Sequence, residues 1–163
     1  MSLFSKEFHI SRGTTQDVDL IRDFTRAAYA KWIPLIGREP LPMSADYETA
    51  LREHRFDLLY KEVALAAVIE TISRSDHLHI QNLCVSPEFQ RLGLGSQLLN
   101  YVQDMAADAR LPILRLDTNK NFTGNVDLYL RHGFSIEWEK PVDGGVHVHM
   151  VKWLSRGDPQ FIK

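Results

Sequence analysis

One stretch constrains the chain more than any other: Asn82-Leu-Cys-Val-Ser-Pro-Glu-Phe-Gln-Arg-Leu-Gly-Leu-Gly-Ser-Gln-Leu-Leu99. It opens as a strand, with Leu83 and Val85 apolar around Cys84. Pro87 cannot donate to a sheet ladder, so the strand stops there. After Gly95 the apolar residues fall at Leu98, Leu99, Val102, Met105 and Ala106, which is helical spacing. A strand, a glycine-bearing turn and a helix follow one another. Such a turn leaves unpaired N–H groups at the helix N-terminus, where the helix dipole favours an anion. Gly93 and Gly95 allow the backbone to approach a ligand closely. A dinucleotide fingerprint needs a third glycine where Leu98 stands, and a P-loop needs a lysine that Gly95-Ser96-Gln97 lacks.

The remaining sequence supplies one domain around this unit. The 163 residues suit a single domain, 1–163, with its core over about 8–154. A hydrophobic fraction of 44% argues against disorder, and a net charge of -2 gives no footprint for nucleic acid. No apolar run reaches the length of a membrane span, and residues 1–9 lack a signal-peptide core. Residues 1–3 are compatible with an expression scar. The lone cysteine, Cys84, excludes an internal disulfide and suits a reducing cytoplasm, and its place in mid-strand reads as a small buried hydrophobe.

In order, residues 8–12 read as a strand, and Thr14-x-x-Asp17 as a capping box opening a helix over 16–32. Pro34, Gly37, Pro40 and Pro42 make 33–43 an apolar loop that cannot continue the helix. A second helix spans 46–53, capped by Ser44 or Asp46. Strands at 56–61, 63–72 and 78–85 form an antiparallel meander, the first two around a tight turn at Glu62. A helix over 95–110, a strand over 113–117, a polar loop over 119–124 and a short helix ended by Gly133 follow. Two more strands, 133–139 and 146–154, flank a turn at 141–145 with Asp143-Gly144 as its hairpin signal, and the tail 155–163 is expected to be loosely held.

Gln90-Arg91-Leu92-Gly93-Leu94-Gly95 resembles the Q/R-x-x-G-x-G/A signature of the GNAT superfamily of acyl-CoA-dependent N-acetyltransferases. Leu128-Tyr129-x-x-x-Gly133-Phe134 resembles the family's L-Y-x-x-x-G-F segment at the expected distance, and the order of elements agrees along almost the whole chain. The resemblance implies an α/β (α+β) fold. Its central mixed, mostly antiparallel sheet has about seven strands, flanked by about four helices, with the fourth and fifth strands splayed.

By the same resemblance acetyl-CoA lies in that gap as acyl donor. Its pantetheine runs along Leu83 and Val85, and its pyrophosphate rests on the amides of Gln90, Arg91, Leu92, Gly93, Leu94, Gly95 and Ser96. Tyr129 takes the family position near the CoA sulfur. Three groups are candidates for the base that frees the amine: Asp117, His79 and Glu70. Asp117 matches a catalytic carboxylate of some ribosomal-protein acetyltransferases. His79 stands at a spacing where histone-type members carry glutamate, and Glu70 lies on the third strand. Two departures touch the pantetheine contacts: Phe122 replaces a frequent asparagine, and Asn125 replaces a frequent alanine and offers a polar contact of its own.

His77-x-His79 and His147-x-His149 each put two imidazoles on one strand face. In the family's strand order the fifth strand keeps these pairs apart, so no metal is expected. The expected partners are acetyl-CoA and an amine acceptor, a small molecule or a protein amine, held between residues 32–43 and the hairpin near Asp143. A homodimer is compatible, and a nucleic acid or membrane partner is not expected. The alternative from another class is a non-catalytic acyl-CoA sensor or interaction module, which needs neither Tyr129 nor Asp117.

Overall fold

The computed structural model describes Phe4 and residues 6–154; the expectations for residues 1–3 and for the tail 155–163 lie outside the described residues. The chain runs β1 (Phe8–Arg12), α1 (Val18–Tyr29), α2 (Ile33–Ile36), α3 (Tyr47–Glu53), β2 (Arg55–Lys61), β3 (Ala64–Ser73), β4 (Leu78–Val85), α4 (Leu94–Asp108), β5 (Ile113–Asn119), α5 (Thr123–Arg131), β6 (Ser135–Val142) and β7 (Gly145–Trp153). Its strands form one sheet in the order β1-β2-β3-β4-β5-β7-β6, in which only β4 and β5 run parallel. This is the mixed, mostly antiparallel sheet expected from the sequence.

The period-2 alternation of the strands divides the interior into two cores, one per sheet face. Leu59, Ala67, Ile69, Leu114, Leu116, Val148 and Met150 meet α4 through Leu98, Val102 and Ala106. Phe56, Leu58, Val68 and Cys84 meet α1 and α3 through Ile21, Ala28, Tyr29, Tyr47 and Leu51. Each such large side chain, fully buried, contributes about 1.5–3 kcal/mol. The predicted capping box is present: the Thr14 hydroxyl accepts from the Gln16 amide and the Asp17 carboxylate accepts from the Thr14 amide.

The feature that positions the site is a register shift in β4. Its pairing with β3 passes from Glu70–Asn82 to Thr71–Ile80, so Gln81 bulges out. At the same point β4 leaves β5: the parallel pairs are Leu78–Leu114, His79–Arg115 and Ile80–Leu116, and none follows. From Asn82 on, the β4 edge turned toward β5 has no strand on it, while β5 continues along β7 as far as Asn119.

Four local expectations are corrected. Residues 33–36 do continue as helix, because Pro34 sits in the first turn of α2, where a missing N–H costs no hydrogen bond. Pro141 belongs to β6 rather than to the turn, which edge position allows. The hairpin is therefore the two-residue Asp143-Gly144, with Val142 paired to Gly145. Val63 lies in the turn with Glu62, not in β3, and β5 runs two residues past Asp117.

Glu70 is buried on β3 and lies 2.7 Å from His54 Nδ1. Burial holds its carboxyl above the usual range, against the pull of the His54 hydrogen bond. A carboxyl raised in the folded state contributes stability in full below its unfolded pKa and loses it as pH rises through the folded value. Glu70→Gln is therefore expected to flatten the fall of Tm as pH rises from about 4.3, the ordinary glutamate value. Thermal melts of both proteins across that range check this, and an unchanged slope assigns the dependence to other groups.

Candidate active site

Where β4 and β5 part, a cavity of about 480 Å³ opens between Leu83–Val85, the residue 90–96 loop and one face of α5. Gly93 caps α4 with φ +78°, and nothing lies within 4 Å of where its Cβ would stand. The first bond of α4 runs from the Gln97 amide to Gly93 O, so the amides of Leu94, Gly95 and Ser96 have no partner within the helix. Arg91, at φ +64°, also takes the left-handed backbone that turns the chain into this loop. Gly95 also lines the cavity, and a Cβ there would stand 2.9 Å from Leu128 Cδ2, so its missing side chain serves the packing of α4 on α5 as well.

The loop is tied to β4 and to the turn that follows α1 through one side chain. Gln90 Nε2 donates to Val85 O at 3.3 Å, and Lys31 Nζ donates to Gln90 Oε1 at 3.3 Å. Lys31, Arg91 and Arg131 all line the cavity, a cationic rim suited to phosphates. Ser96 Oγ lies 2.8 Å from His132 Nε2. Motif reading found neither Lys31 nor Arg131, since only tertiary packing brings the turn after α1 and the end of α5 to the loop.

A second cavity, about 300 Å³, lies on the α1 face of the sheet. Its walls are Ile36, Arg38, Pro40 and Leu41 from the residue 33–43 segment, His79 and Asn82 from β4, Asp117 and Asn119 from β5, and His147 from β7. Tyr29, Leu83, Asn125 and Tyr129 line both cavities, so the two meet at those side chains. The 33–43 segment is clamped over the sheet by the β6–β7 hairpin: Arg38 Nε donates to Asp143 O at 3.2 Å. Gly144, at φ +87°, has Ile36 O 2.6 Å from where a Cβ would be, so a larger residue would push the segment off.

At the junction Tyr129 is buried and stacks edge-on against Phe134 at 5.8 Å. Burial, with a smaller contribution from Cys84, pushes its phenol well up, so it stays protonated and can only donate or accept as a neutral hydroxyl. Among the described residues that hydroxyl has no hydrogen-bond partner. Beside it Asn82 Oδ1 accepts from Tyr29 OH at 2.6 Å, while Asn82 Nδ2 is buried and unsatisfied, a donor aimed at no protein group. Cys84 is buried too, its thiol pushed up to about 12, chiefly by burial. It stays a protonated thiol and is poorly suited to be a nucleophile.

The base candidates separate. Asp117 Oδ1 is 2.8 Å from both His147 Nε2 and His149 Nδ1, and its Oδ2 is 3.7 Å from His79 Nε2. Burial works to raise Asp117, but the hydrogen bonds from His149 and His147 outweigh it and hold the carboxyl below its usual range. Burial lowers His79 and favours its neutral form. Glu70 lines neither cavity: β3 carries it under α1 and α3, to His54. As expected, β5 stands between the strands that carry the two His-x-His pairs; Asp117 on it is hydrogen-bonded to both rings of the His147-x-His149 pair and lies 3.7 Å from His79 of the other. The cluster is hydrogen-bonded; among the described residues no group of His, Cys, Asp and Glu has the arrangement of a metal site.

The family model described as "Acetyltransferase (GNAT) family" matches residues 19–134. Among solved structures, the ribosomal-protein-S18-alanine N-acetyltransferase from Escherichia coli gives a TM-score of 0.76 at 20% identity, over 93% of this chain and 97% of that one. The PaiA N-acetyltransferase from Thermoplasma acidophilum, in complex with coenzyme A, gives 0.74 at 14% identity, over 90% and 98%. A GNAT family acetyltransferase from Elizabethkingia anophelis with acetyl-CoA bound gives 0.70 at 18% identity, over 92% and 100%. At these identities the likeness is one of fold. No curated protein sequence matches this one.

Proposed function

The chain belongs to the GNAT acetyltransferase family, and from that premise we propose that it transfers the acetyl group of acetyl-CoA directly to a primary amine. The observation that carries this reading is the meeting of two cavities at Tyr129, one rimmed by cations and free amides, the other by Asp117 and imidazoles. The first suits the donor. The amides of Leu94, Gly95 and Ser96 with the Lys31, Arg91 and Arg131 side chains would hold the pyrophosphate, each charge-assisted bond contributing about 1.5–3 kcal/mol. The β4 edge at Leu83 and Val85, which no strand covers, would take the pantetheine as an added strand. Acetyl-CoA supplies the activated acyl carbon and a thiolate leaving group. Tyr129 donates a hydrogen bond to the sulfur as charge develops there, and Asn82 Nδ2 is a spare donor at the same junction.

The second cavity suits the acceptor. Ile36, Pro40 and Leu41 give it an apolar wall, and Asp117 gives an anion for an ammonium. A small or partly apolar primary amine fits this chemistry. Direct transfer is supported by Cys84, the lone thiol of the chain, being buried and protonated. A non-catalytic sensor would not need Tyr129 poised beside a second cavity.

A panel of primary amines assayed for release of CoA thiol from acetyl-CoA tests the reading, and release that no amine stimulates counts against it. Shortening the segment between Gly37 and Pro42 is expected to raise acceptor KM about 10-fold or more and leave acetyl-CoA Kd unchanged. Parallel loss of cofactor affinity and Tm would identify the segment as a packing element.

A further inference from the structure

We propose that His147 is the base that takes the acceptor's ammonium proton, and that Asp117 and His149 act by positioning it. This rests on the acetyl-transfer reading above, and the argument is one of tautomers. Asp117 is ionised at neutral pH and offers only lone pairs. Both rings at 2.8 Å from its Oδ1 must therefore donate, His147 through Nε2 and His149 through Nδ1. His149 is then fully engaged, because Arg115 Nη1, which can only donate, lies 3.2 Å from its Nε2. Arg115 is itself fixed by Glu137 at 2.9 Å.

His147 differs at one atom. With Nε2 protonated, the neutral ring carries its lone pair on Nδ1, and among the described residues no group bonds to that nitrogen. The ring lines the same cavity as Tyr129. Trp138 lies parallel to it, 5.2 Å away at 17°, which holds the rotamer. His79 is less suited, being half-buried and 3.7 Å from Asp117, beyond hydrogen-bond distance. The charged and titratable groups around His147 are Asp117 and Arg115 on β5, His79 on β4, His149 on β7, and Glu137, Glu139 and Lys140 on β6, with Lys120 and Arg38 from the loops.

In the step, Nδ1 takes one ammonium proton, leaving a neutral amine and an imidazolium bonded to Asp117. The amine lone pair forms the N–C bond at the thioester carbonyl, the C–S bond breaks, and the nitrogen's surplus proton passes to the sulfur beside Tyr129. The imidazolium, 37% exposed, returns its proton to water. Ammonium and thioester thus become amide, thiol and one free proton.

His147→Gln keeps an amide donor toward Asp117 and removes the titratable nitrogen. With 2-phenylethylamine at neutral pH, kcat/KM is expected to fall roughly 10²–10⁴-fold. The deficit should close as pH approaches the amine's own pKa, and it should be small with aniline, which is neutral without help. An unchanged variant, or a deficit equal for both amines at every pH, overturns the proposal. Nitrogen-15 NMR of the histidine rings needs no acceptor. It should show neutral His147 protonated on Nε2 in the wild type, with that preference weakened in Asp117→Asn. A proton on Nδ1 overturns the proposal even if acetyl transfer stands. A wild type inactive toward every amine, with the Nε2 tautomer present, overturns the acetyl-transfer reading and the base assignment with it.

Discussion

Gly93→Asp is expected to weaken acetyl-CoA binding by about 100-fold or more in calorimetry. The loss of two phosphate bonds at roughly 1.5 kcal/mol each already gives that factor. The substitution sets a carboxylate beside the amides of Leu94, Gly95 and Ser96, where the pyrophosphate is proposed to lie. Its Cβ meets no protein atom, since nothing stands within 4 Å of that position. Backbone strain at φ +78° is the competing cause, and Asp tolerates that region better than most residues. Gly93→Asn carries the same strain without the charge. It should lose much less affinity, with both variants melting within a few degrees of each other. Equal affinity in wild type and Gly93→Asp would remove the loop from cofactor binding.

Tyr129→Phe should lower kcat by roughly 10²–10⁴, the usual range for one proton-transfer group. The ring and its edge contact with Phe134 at 5.8 Å are kept. No hydrogen bond within the described residues is lost, so Tm and acetyl-CoA Kd should hardly move. That combination separates catalysis from packing: help to a departing thiolate exists only where charge develops, and it lowers kcat without touching ground-state binding. A CoA thiol is more acidic than an ordinary phenol, so a hydrogen bond suffices and the raised phenol of Tyr129 is no obstacle. Near-wild-type kcat with chemistry rate-limiting would leave water to protonate the sulfur.

Legibility from sequence followed the range of the interactions. The strand–turn–helix at 82–99 and the capping box at Thr14 and Asp17 are local, and both were readable. Strand order came from resemblance, since alternation along a strand shows its two faces but not its neighbours. Pro34 misled because a proline reads as a helix breaker unless the first turn is known. Gly93 and Gly95 both line the cavity, but the spacing alone does not show that one also carries a left-handed φ and the other a Leu128 contact at 2.9 Å. The Asp117 cluster was missed for a related reason. Residues 79, 117 and 147–149 sit on three strands, and nothing in their spacing reveals that β5 presents its carboxylate to both neighbours. Lys31 reaches the cavity beside the residue 90–96 loop through the packing of α1 and the turn after it, which no motif encodes.

The most direct test of direct acetyl transfer follows a labelled acetyl group. The protein is incubated with acetyl-labelled acetyl-CoA and a primary amine that stimulates thiol release, while thiol, acetylated amine and protein mass are measured together. The account predicts one acetyl amide per CoA thiol and no labelled protein at any time, because Cys84 is buried and protonated. Thiol release without amide formation, or a protein that carries the label and passes it on, would contradict it.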